Sequence, residues 1–165
     1  MGEEFPEEYD SDAVEAKWRQ RWKEQDIYAF DPDSDDPVYA IDTPPPYVSG
    51  DLHVGHAMSY TQAEFIARFK RMQGYNVFYP MGFDDNGLPT ERYVERTLDV
   101  DKHELGRSRF VEKCRDVTAE GRQNYREIWD LLGISVDWSL LYTTISDEAQ
   151  RVSQLSFLDL YEQGR

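Results

Sequence analysis

The pattern of apolar and polar residues switches along this chain between the periods of strands and helices. Val38 to Ile41 is a short β-branched and aromatic run that stops before prolines, which cannot donate to a strand ladder. Mostly apolar residues then recur at helical spacing up to Gly74: Met58, Thr61, Phe65, Phe69 and Met72. Asn76 to Tyr79 is the next apolar run, and it is bounded by Pro80 and Gly82. This order predicts a βαβ unit with parallel strands and a right-handed crossover.

Helical spacing also appears on both sides of this unit. Upstream, Ser11 or Asp12 caps a helix whose apolar stripe predicts core packing: Val14, Trp18 and Trp22. Downstream, a helix begins at Leu88, and Asp101 to Glu104 has the spacing of a capping box on a short helical turn. A long helix follows from Ser108 to Gly133, with one predicted face: Phe110, Cys114, Val117, Gly121, Tyr125, Ile128 and Leu132.

The last third of the chain ends with two more elements. Alternating residues from Ser135 to Thr144 predict a strand or an extended segment. Ser146 then caps a helix that ends at Gly164, and four of its residues are predicted to face inward: Val152, Leu155, Leu158 and Tyr161. The order of elements predicts an α/β fold with a parallel sheet and long flanking helices. We divide the chain into an acidic arm with one helix, residues 1–37, and a sheet-bearing part, residues 38–165.

Candidate chemistry lies in the two loops that follow the predicted strands, where ligands of parallel units bind. Ser49, Gly50 and Asp51 are loop formers, and His53 and His56 flank the start of the next helix. Free N–H groups and the helix dipole attract an anion there. Gly55 has no side chain, so a flat ligand such as a purine fits against the backbone.

Asp84 is the candidate in the second loop, because its carboxylate is suited to holding a substrate ammonium through charge-assisted hydrogen bonds. The alternative is a turn aspartate, and we interpret Asp85 and Asn86 as turn formers.

The His-x-x-His pair also has rival interpretations. Zinc would need further ligands, and the sequence offers neither a second His-rich cluster nor a cysteine pair, so we predict no metal site. Two structural histidines remain a second alternative. The helix start, the glycine and the βαβ context favour phosphate.

Composition narrows the function classes. The chain has 165 residues, about the size of one domain. Its 33 acidic residues exceed its 18 Lys and Arg and give a formal charge of −15, which repels nucleic-acid backbones. We interpret this charge as a sign of a high-salt cytoplasm; an ordinary acidic cytosolic domain is the alternative. Cys114 is the single cysteine, so an internal disulfide is excluded.

No apolar stretch in the sequence is long enough to span a bilayer, and the acidic N-terminus is unlike a secretory or mitochondrial leader. The sequence therefore predicts a cytoplasmic protein that does not bind membranes.

Several motifs, in the right order, resemble those of one family. Asp51-Leu52-His53-Val54-Gly55-His56 resembles the HIGH signature of class I aminoacyl-tRNA synthetases. The triple proline Pro44-Pro45-Pro46, the Val48-Ser49-Gly50 run and the stretch from Gly82 to Glu91 resemble the valyl-tRNA synthetases in particular. The similarity extends from about Tyr9 to the last residue.

Isoleucyl and leucyl enzymes are close relatives and remain alternatives. Isoleucyl sequences usually show two prolines, and a Trp-Asp-Cys-His run where this chain has Phe83-Asp84-Asp85-Asn86. Leucyl sequences resemble the stretch from Tyr75 to Gly82 but lack the three prolines.

The resemblance implies a Rossmann-like catalytic domain, of which this chain is the first half. It implies that valine and ATP, with Mg²⁺ as part of the substrate and no tightly bound cofactor, form valyl-adenylate, and that the valyl group then passes to tRNA(Val). His53 and His56 would be the catalytic donors, and together with Gly55 they would bind ATP. Asp84 would bind the α-amino group, and a wall near the aliphatic side chain would consist of Pro45, Pro46 and Tyr47.

Other parts of the family pattern are absent from this sequence. None of its five lysines lies in a KMSKS run, and the chain ends about where the family's editing insertion would begin. We therefore expect the isolated chain to be inactive or very weak, and to self-associate or to join a missing C-terminal half. The alternatives are a non-catalytic adenylate-binding module, an inert fragment, or a nucleotidylyltransferase with the same His-x-Gly-His loop.

Overall fold

A computed structural model of the protein describes residues 8–48 and 52–165. Ser49, Gly50 and Asp51, named above as loop and signature residues, lie outside the described part, as do residues 1–7. Ten elements follow in chain order: α1 Ser11–Glu24, β1 Val38–Ala40, α2 Val54–Met72, β2 Asn76–Phe78, β3 Pro80–Phe83, α3 Leu88–Leu98, α4 Lys102–Leu105, α5 Arg107–Leu132, β4 Asp137–Thr143 and α6 Asp147–Glu162.

The strands pair in parallel, as predicted. β1 pairs with β2, with Tyr39 opposite Val77, so β1, α2 and β2 form the expected βαβ unit. β3 pairs with β4 in parallel, and a separate parallel bridge joins Tyr47 to Asp84 beyond the ends of β1 and β3. The α/β fold with a parallel sheet is confirmed.

β3 was not predicted, because the sequence favoured a strand end at Pro80. The chain instead continues as a second strand, in which Pro80 is the first residue, where its missing N–H is tolerated. The pairing is close, since a Cβ on Gly82 would lie 2.1 Å from Cζ of Tyr142 in β4. The partner strand lies more than fifty residues away, so local periodicity carries no sign of it.

Helix ends agree well with their capping signals. Gly74 and Gly133 follow α2 and α5 with φ values of +81° and +69°, a conformation that glycine adopts without strain. Asp101 caps α4, and its carboxylate accepts the N–H groups of His103 and Glu104. The cap of α1 is one residue earlier than predicted, at Asp10, which accepts the Ala13 N–H at 3.0 Å.

The core is aromatic and lies between the sheet and the helices α2 and α5. Trp129 is fully buried, and its ring centroid lies 4.7 Å from that of Tyr60 and 5.6 Å from that of Tyr125. The strands and the residues directly beside them contribute further buried side chains: Val77, Tyr79, Met81, Phe83 and Val136. Each fully buried apolar side chain contributes about 1.5–3 kcal/mol.

The predicted helical period of α2 is confirmed, but the large side chains that show it do not form the buried face. The large side chains used for that prediction are 53–79% exposed: Met58, Phe65, Phe69 and Met72. The buried face carries Tyr60, Glu64 and Ala67. Glu64 determines this orientation, because its carboxylate accepts the Ser135 N–H at 2.7 Å and the Arg68 Nε–H at 2.6 Å. A buried carboxylate needs such partners.

The predictions that the apolar faces of α1 and α6 pack into the core are wrong. No residue of α1 is buried, although Lys23 pairs with Asp130 at 2.5 Å and Arg68 stacks over Trp22. The four residues predicted to face inward on α6 are 53–73% exposed: Val152, Leu155, Leu158 and Tyr161. An apolar stripe shows that a helix has a face to bury, but it does not show that a partner is present.

Among the described residues, no helix combines the length and apolar character needed to cross a membrane.

Candidate active site

The segment Pro44–Val48 follows β1, and three elements hold it. The Tyr60 hydroxyl of α2 donates to Pro44 O at 2.5 Å, and the Asp84 N–H at the end of β3 donates to Pro46 O at 2.9 Å. From α5, the Tyr125 hydroxyl donates to Tyr47 O at 2.9 Å. These bonds bring the proline segment alongside Asp84.

α5 approaches this segment at a glycine. A Cβ on Gly121 would lie 2.4 Å from Val48 O, so only glycine permits the contact without displacement. The predicted wall residues differ in exposure: Pro46 is buried, Pro45 is half-buried, and Tyr47 is 52% exposed. Tyr47 is therefore the wall residue most open to a ligand.

His53 is the N-cap of α2, and its ring is oriented by the helix itself. Its Nδ1 accepts the Gly55 N–H at 3.1 Å, so in the neutral ring the proton lies on Nε2. A Cβ on Gly55 would lie 2.9 Å from Nδ1 and Cε1 of His53. The His53 ring therefore lies beside Gly55, and a larger residue there would displace it. The approach of a flat ligand to Gly55 stays a prediction.

His56 lies on the first turn of α2 and stacks on His53, with ring centroids 4.0 Å apart. Burial, and to a lesser extent the charge of His53, lowers the pKa of His56 from its ordinary value of 6.5. Its Nδ1 is buried and has no hydrogen-bond partner among the described residues. The pair therefore presents ring N–H donors beside the N-terminus of α2, where the helix dipole also favours an anion. The backbone N–H groups expected to be free there are in part engaged, because those of Gly55 and His56 donate to His53 Nδ1 and O.

Asp84 is half-buried and has one oxygen fully engaged. Oδ1 accepts the Thr144 hydroxyl at 2.8 Å and the Asn86 N–H at 3.1 Å. Among the described residues, no group donates to Oδ2. The carboxylate is therefore held through Oδ1, an arrangement that suits an ammonium ligand on Oδ2.

Asp85 was interpreted as a turn former, and the structure shows a further role. Its side chain is buried and forms an ion pair with Arg122 of α5. Burial raises the pKa of Asp85, the Arg122 charge opposes that change, and the Asp84 charge adds to it. The pair anchors the loop that carries Asp84 to α5. Asn86 is exposed and accepts the Gly87 N–H at 2.8 Å, in agreement with a turn role.

The zinc alternative gains no support from the geometry. Within residues 8–48 and 52–165, no group of three or more His, Cys, Asp or Glu side chains is placed to hold a metal ion.

Several residues that build this site were not predicted as site residues. Thr144, Tyr60 and Arg122 come from distant elements, and their hydrogen bonds to the site span 16 to 60 residues. Tyr125 was predicted only as part of an apolar helix face. For Tyr60 and Tyr125, the signal in the sequence was a side-chain hydroxyl on a helix that must pack against the core.

Comparison with known proteins connects this geometry to one family. The sequence pattern described as tRNA synthetases class I (I, L, M and V) matches residues 17–165, which include every candidate site residue. The valine-tRNA ligase of Rickettsia felis is 52% identical over 162 residues, or 98% of this chain and 19% of that protein. That of Rickettsia akari is 50% identical over 163 residues, or 98% of this chain and 20% of that protein.

A solved structure agrees with these matches. A LeuRS of Agrobacterium radiobacter K84, in a ternary complex with tRNA and LeuAMS, has a TM-score of 0.80 and 30% sequence identity. The match covers 95% of this chain and 18% of that chain, and this chain spans about a fifth of the length of the valine-tRNA ligases. With the family pattern over most of its length and relatives that are half identical to it, the chain belongs to the class I tRNA synthetases.

Proposed function

We propose that this chain provides the HIGH-signature half of the active site of a valine-tRNA ligase. The observation that supports the proposal is that two candidate ligand-binding groups follow parallel strands. The histidine pair follows β1 at the start of α2, and Asp84 follows β3, with the Tyr47 to Asp84 bridge between them. Because ligands of parallel units bind at the carboxyl ends of the strands, we infer that an anion and an ammonium bind in one crevice there.

The reaction is adenylate formation. A carboxylate oxygen of valine attacks the α-phosphorus of ATP, the bond from that phosphorus to the bridging oxygen breaks, and pyrophosphate leaves with Mg²⁺. The valyl group then moves to the terminal adenosine of tRNA(Val). Positioning and stabilisation of the developing phosphate charge account for most of such catalysis. His53 and His56 would act as catalytic donors through their ring N–H groups.

The other residues would bind the substrates. Asp84 Oδ2 would accept the ammonium of valine, while Pro45, Pro46 and Tyr47 would lie along its aliphatic side chain. Gly55 would let the adenine approach the first turn of α2. The acidic surface of this chain does not favour tRNA binding, because a charge of −15 repels a phosphate backbone. The tRNA contacts of the whole enzyme would therefore lie mainly outside this chain.

Titration calorimetry tests the proposal directly. We expect the 165-residue chain to bind valyl-sulfamoyl-adenosine more tightly than the leucyl and isoleucyl analogues, and to form adenylate only weakly by itself. Preference for another aminoacyl analogue would favour the related synthetases. Binding of ATP without any effect of the aminoacyl part would favour a nucleotide-binding module or a nucleotidylyltransferase.

A functional assay completes this test. Valine-dependent pyrophosphate exchange and aminoacylation of tRNA(Val) should be much slower for the chain alone than for a full-length valine-tRNA ligase, and the double variant His53→Ala, His56→Ala should abolish any residual exchange. Aminoacylation by the chain alone at the full-length rate would contradict the expectation that this chain holds only half of the active site.

Cytoplasmic location and self-association remain predictions. Analytical ultracentrifugation tests self-association.

A further inference from the structure

Thr144 connects β4 to the loop that carries the candidate ammonium ligand. Its backbone N–H donates to Phe83 O at 3.1 Å, which fixes Thr144 beside the end of β3. Its hydroxyl oxygen contacts two consecutive residues of that loop: it lies 2.8 Å from Asp84 Oδ1 and 3.1 Å from the Asp85 amide nitrogen. One side chain therefore contacts both the carboxylate and the backbone of the loop.

The directions of these bonds are determined by the donors that are present. The Asp85 N–H can only donate, so the Thr144 oxygen accepts from it. The single hydroxyl hydrogen is then free to point at Asp84 Oδ1. With the Asn86 N–H on the same oxygen, Oδ1 receives two hydrogen bonds, while no residue in the described part of the chain donates to Oδ2.

We propose that Thr144 is a positioning residue for ammonium recognition, holding the Asp84 carboxylate so that Oδ2 faces the amino group of the substrate. This inference rests on the proposed function of Asp84. Thr144 does not touch the substrate. It restricts the rotation of the Asp84 side chain before the ligand binds, so less conformational entropy is lost on binding.

The rival explanation is that Thr144 only stabilises the turn, and a pair of ligands separates the two roles. Valyl-sulfamoyl-adenosine carries the ammonium, and its deamino counterpart, isovaleryl-sulfamoyl-adenosine, does not. Positioning predicts that Thr144→Val weakens binding of the first roughly 10-fold, the effect of losing one hydrogen bond to a charged group, and leaves binding of the second unchanged. Thr144→Ser, which keeps the hydroxyl, should restore wild-type binding.

Hydrogen exchange of the Asp85 amide provides a measurement that needs no ligand. We expect faster exchange in Thr144→Val than in the wild type and near wild-type exchange in Thr144→Ser, with circular dichroism showing that both variants fold. Unchanged exchange in Thr144→Val would overturn the hydrogen-bond arrangement, whatever the binding results.

The binding outcomes are distinguishable in the same way. Equal weakening of both analogues by Thr144→Val, or weakening of neither, overturns the positioning role. A wild-type chain that binds both analogues equally, with no effect of Asp84→Asn, overturns the proposed ammonium site itself and therefore this inference with it. If Thr144→Val weakens binding of the valyl analogue alone and Thr144→Ser restores it, the result supports both the ammonium site at Asp84 and the positioning role of Thr144.

Discussion

The Tyr125 hydroxyl donates a 2.9 Å hydrogen bond to the backbone carbonyl of Tyr47, which joins the C-terminal part of α5 to the segment before the histidine pair. The same ring lies edge-on to His56, with centroids 6.3 Å apart. Tyr125 is buried, and burial raises the pKa of its phenol, so the hydroxyl stays protonated as a donor. One side chain thus contacts both the proline segment and the histidine pair.

Replacing Tyr125 by Phe should lower the free energy of unfolding by about 1 kcal/mol, because the ring stays packed while Tyr47 O loses its donor. Urea denaturation measures the change. Tyr161→Phe is the matched control, since Tyr161 is exposed on α6 and should tolerate the same deletion. Equal effects of the two substitutions would show that the bond to Tyr47 contributes nothing specific.

Replacing either His53 or His56 by Ala should lower valine-dependent pyrophosphate exchange by roughly 10²–10³-fold in the full-length enzyme, the loss typical of one preorganised donor. The exposed His103→Ala serves as a control, because that residue lies on α4 and was not assigned to the site. Exchange at wild-type rates in both single variants would refute the donor role.

Asp84→Asn should weaken binding of valine and of valyl-sulfamoyl-adenosine while ATP binding stays nearly intact. The substitution keeps the shape of the side chain but removes the charge that attracts an ammonium. Calorimetry with each ligand gives the comparison. A parallel loss of ATP affinity would point to a general disturbance of the loop rather than to a lost ammonium contact.

The lowered pKa of His56 has a consequence for pH-dependent stability. Because the folded-state pKa lies below the unfolded value of 6.5, the unfolded chain binds more protons as pH falls. The contribution of neutral His56 is therefore present above pH 6.5 and is lost as pH falls through the lowered folded-state pKa. Urea denaturation at several pH values should show a smaller loss of stability on acidification in His56→Gln than in the wild type; an identical pH profile would contradict this.

The charge of −15 predicts a dependence on salt. If the chain is adapted to a high-salt cytoplasm, its unfolding temperature should fall steeply as KCl is removed, because screening of mutual repulsion is lost. Differential scanning fluorimetry across a KCl series measures this. A flat response would favour the alternative of an ordinary acidic domain.

The sequence by itself determined the elements whose signals are local. Gly74 and Gly133 mark helix ends because positive φ favours glycine, and the Asp101 cap is visible within four residues. The order of strand, loop and helix around His53 and His56 places them at the start of α2. These features depend on neighbours in the chain, so periodicity and capping chemistry suffice.

The tertiary structure decided the features that depend on distant partners. β3 exists because β4 lies beside it, and α2 buries Glu64 instead of its larger apolar residues because Ser135 and Arg68 satisfy the carboxylate. The orientation of Asp84 likewise depends on Thr144, sixty residues away. An amphipathic pattern shows which residues can be buried, but which face meets a partner depends on packing and hydrogen bonds between elements far apart in the sequence.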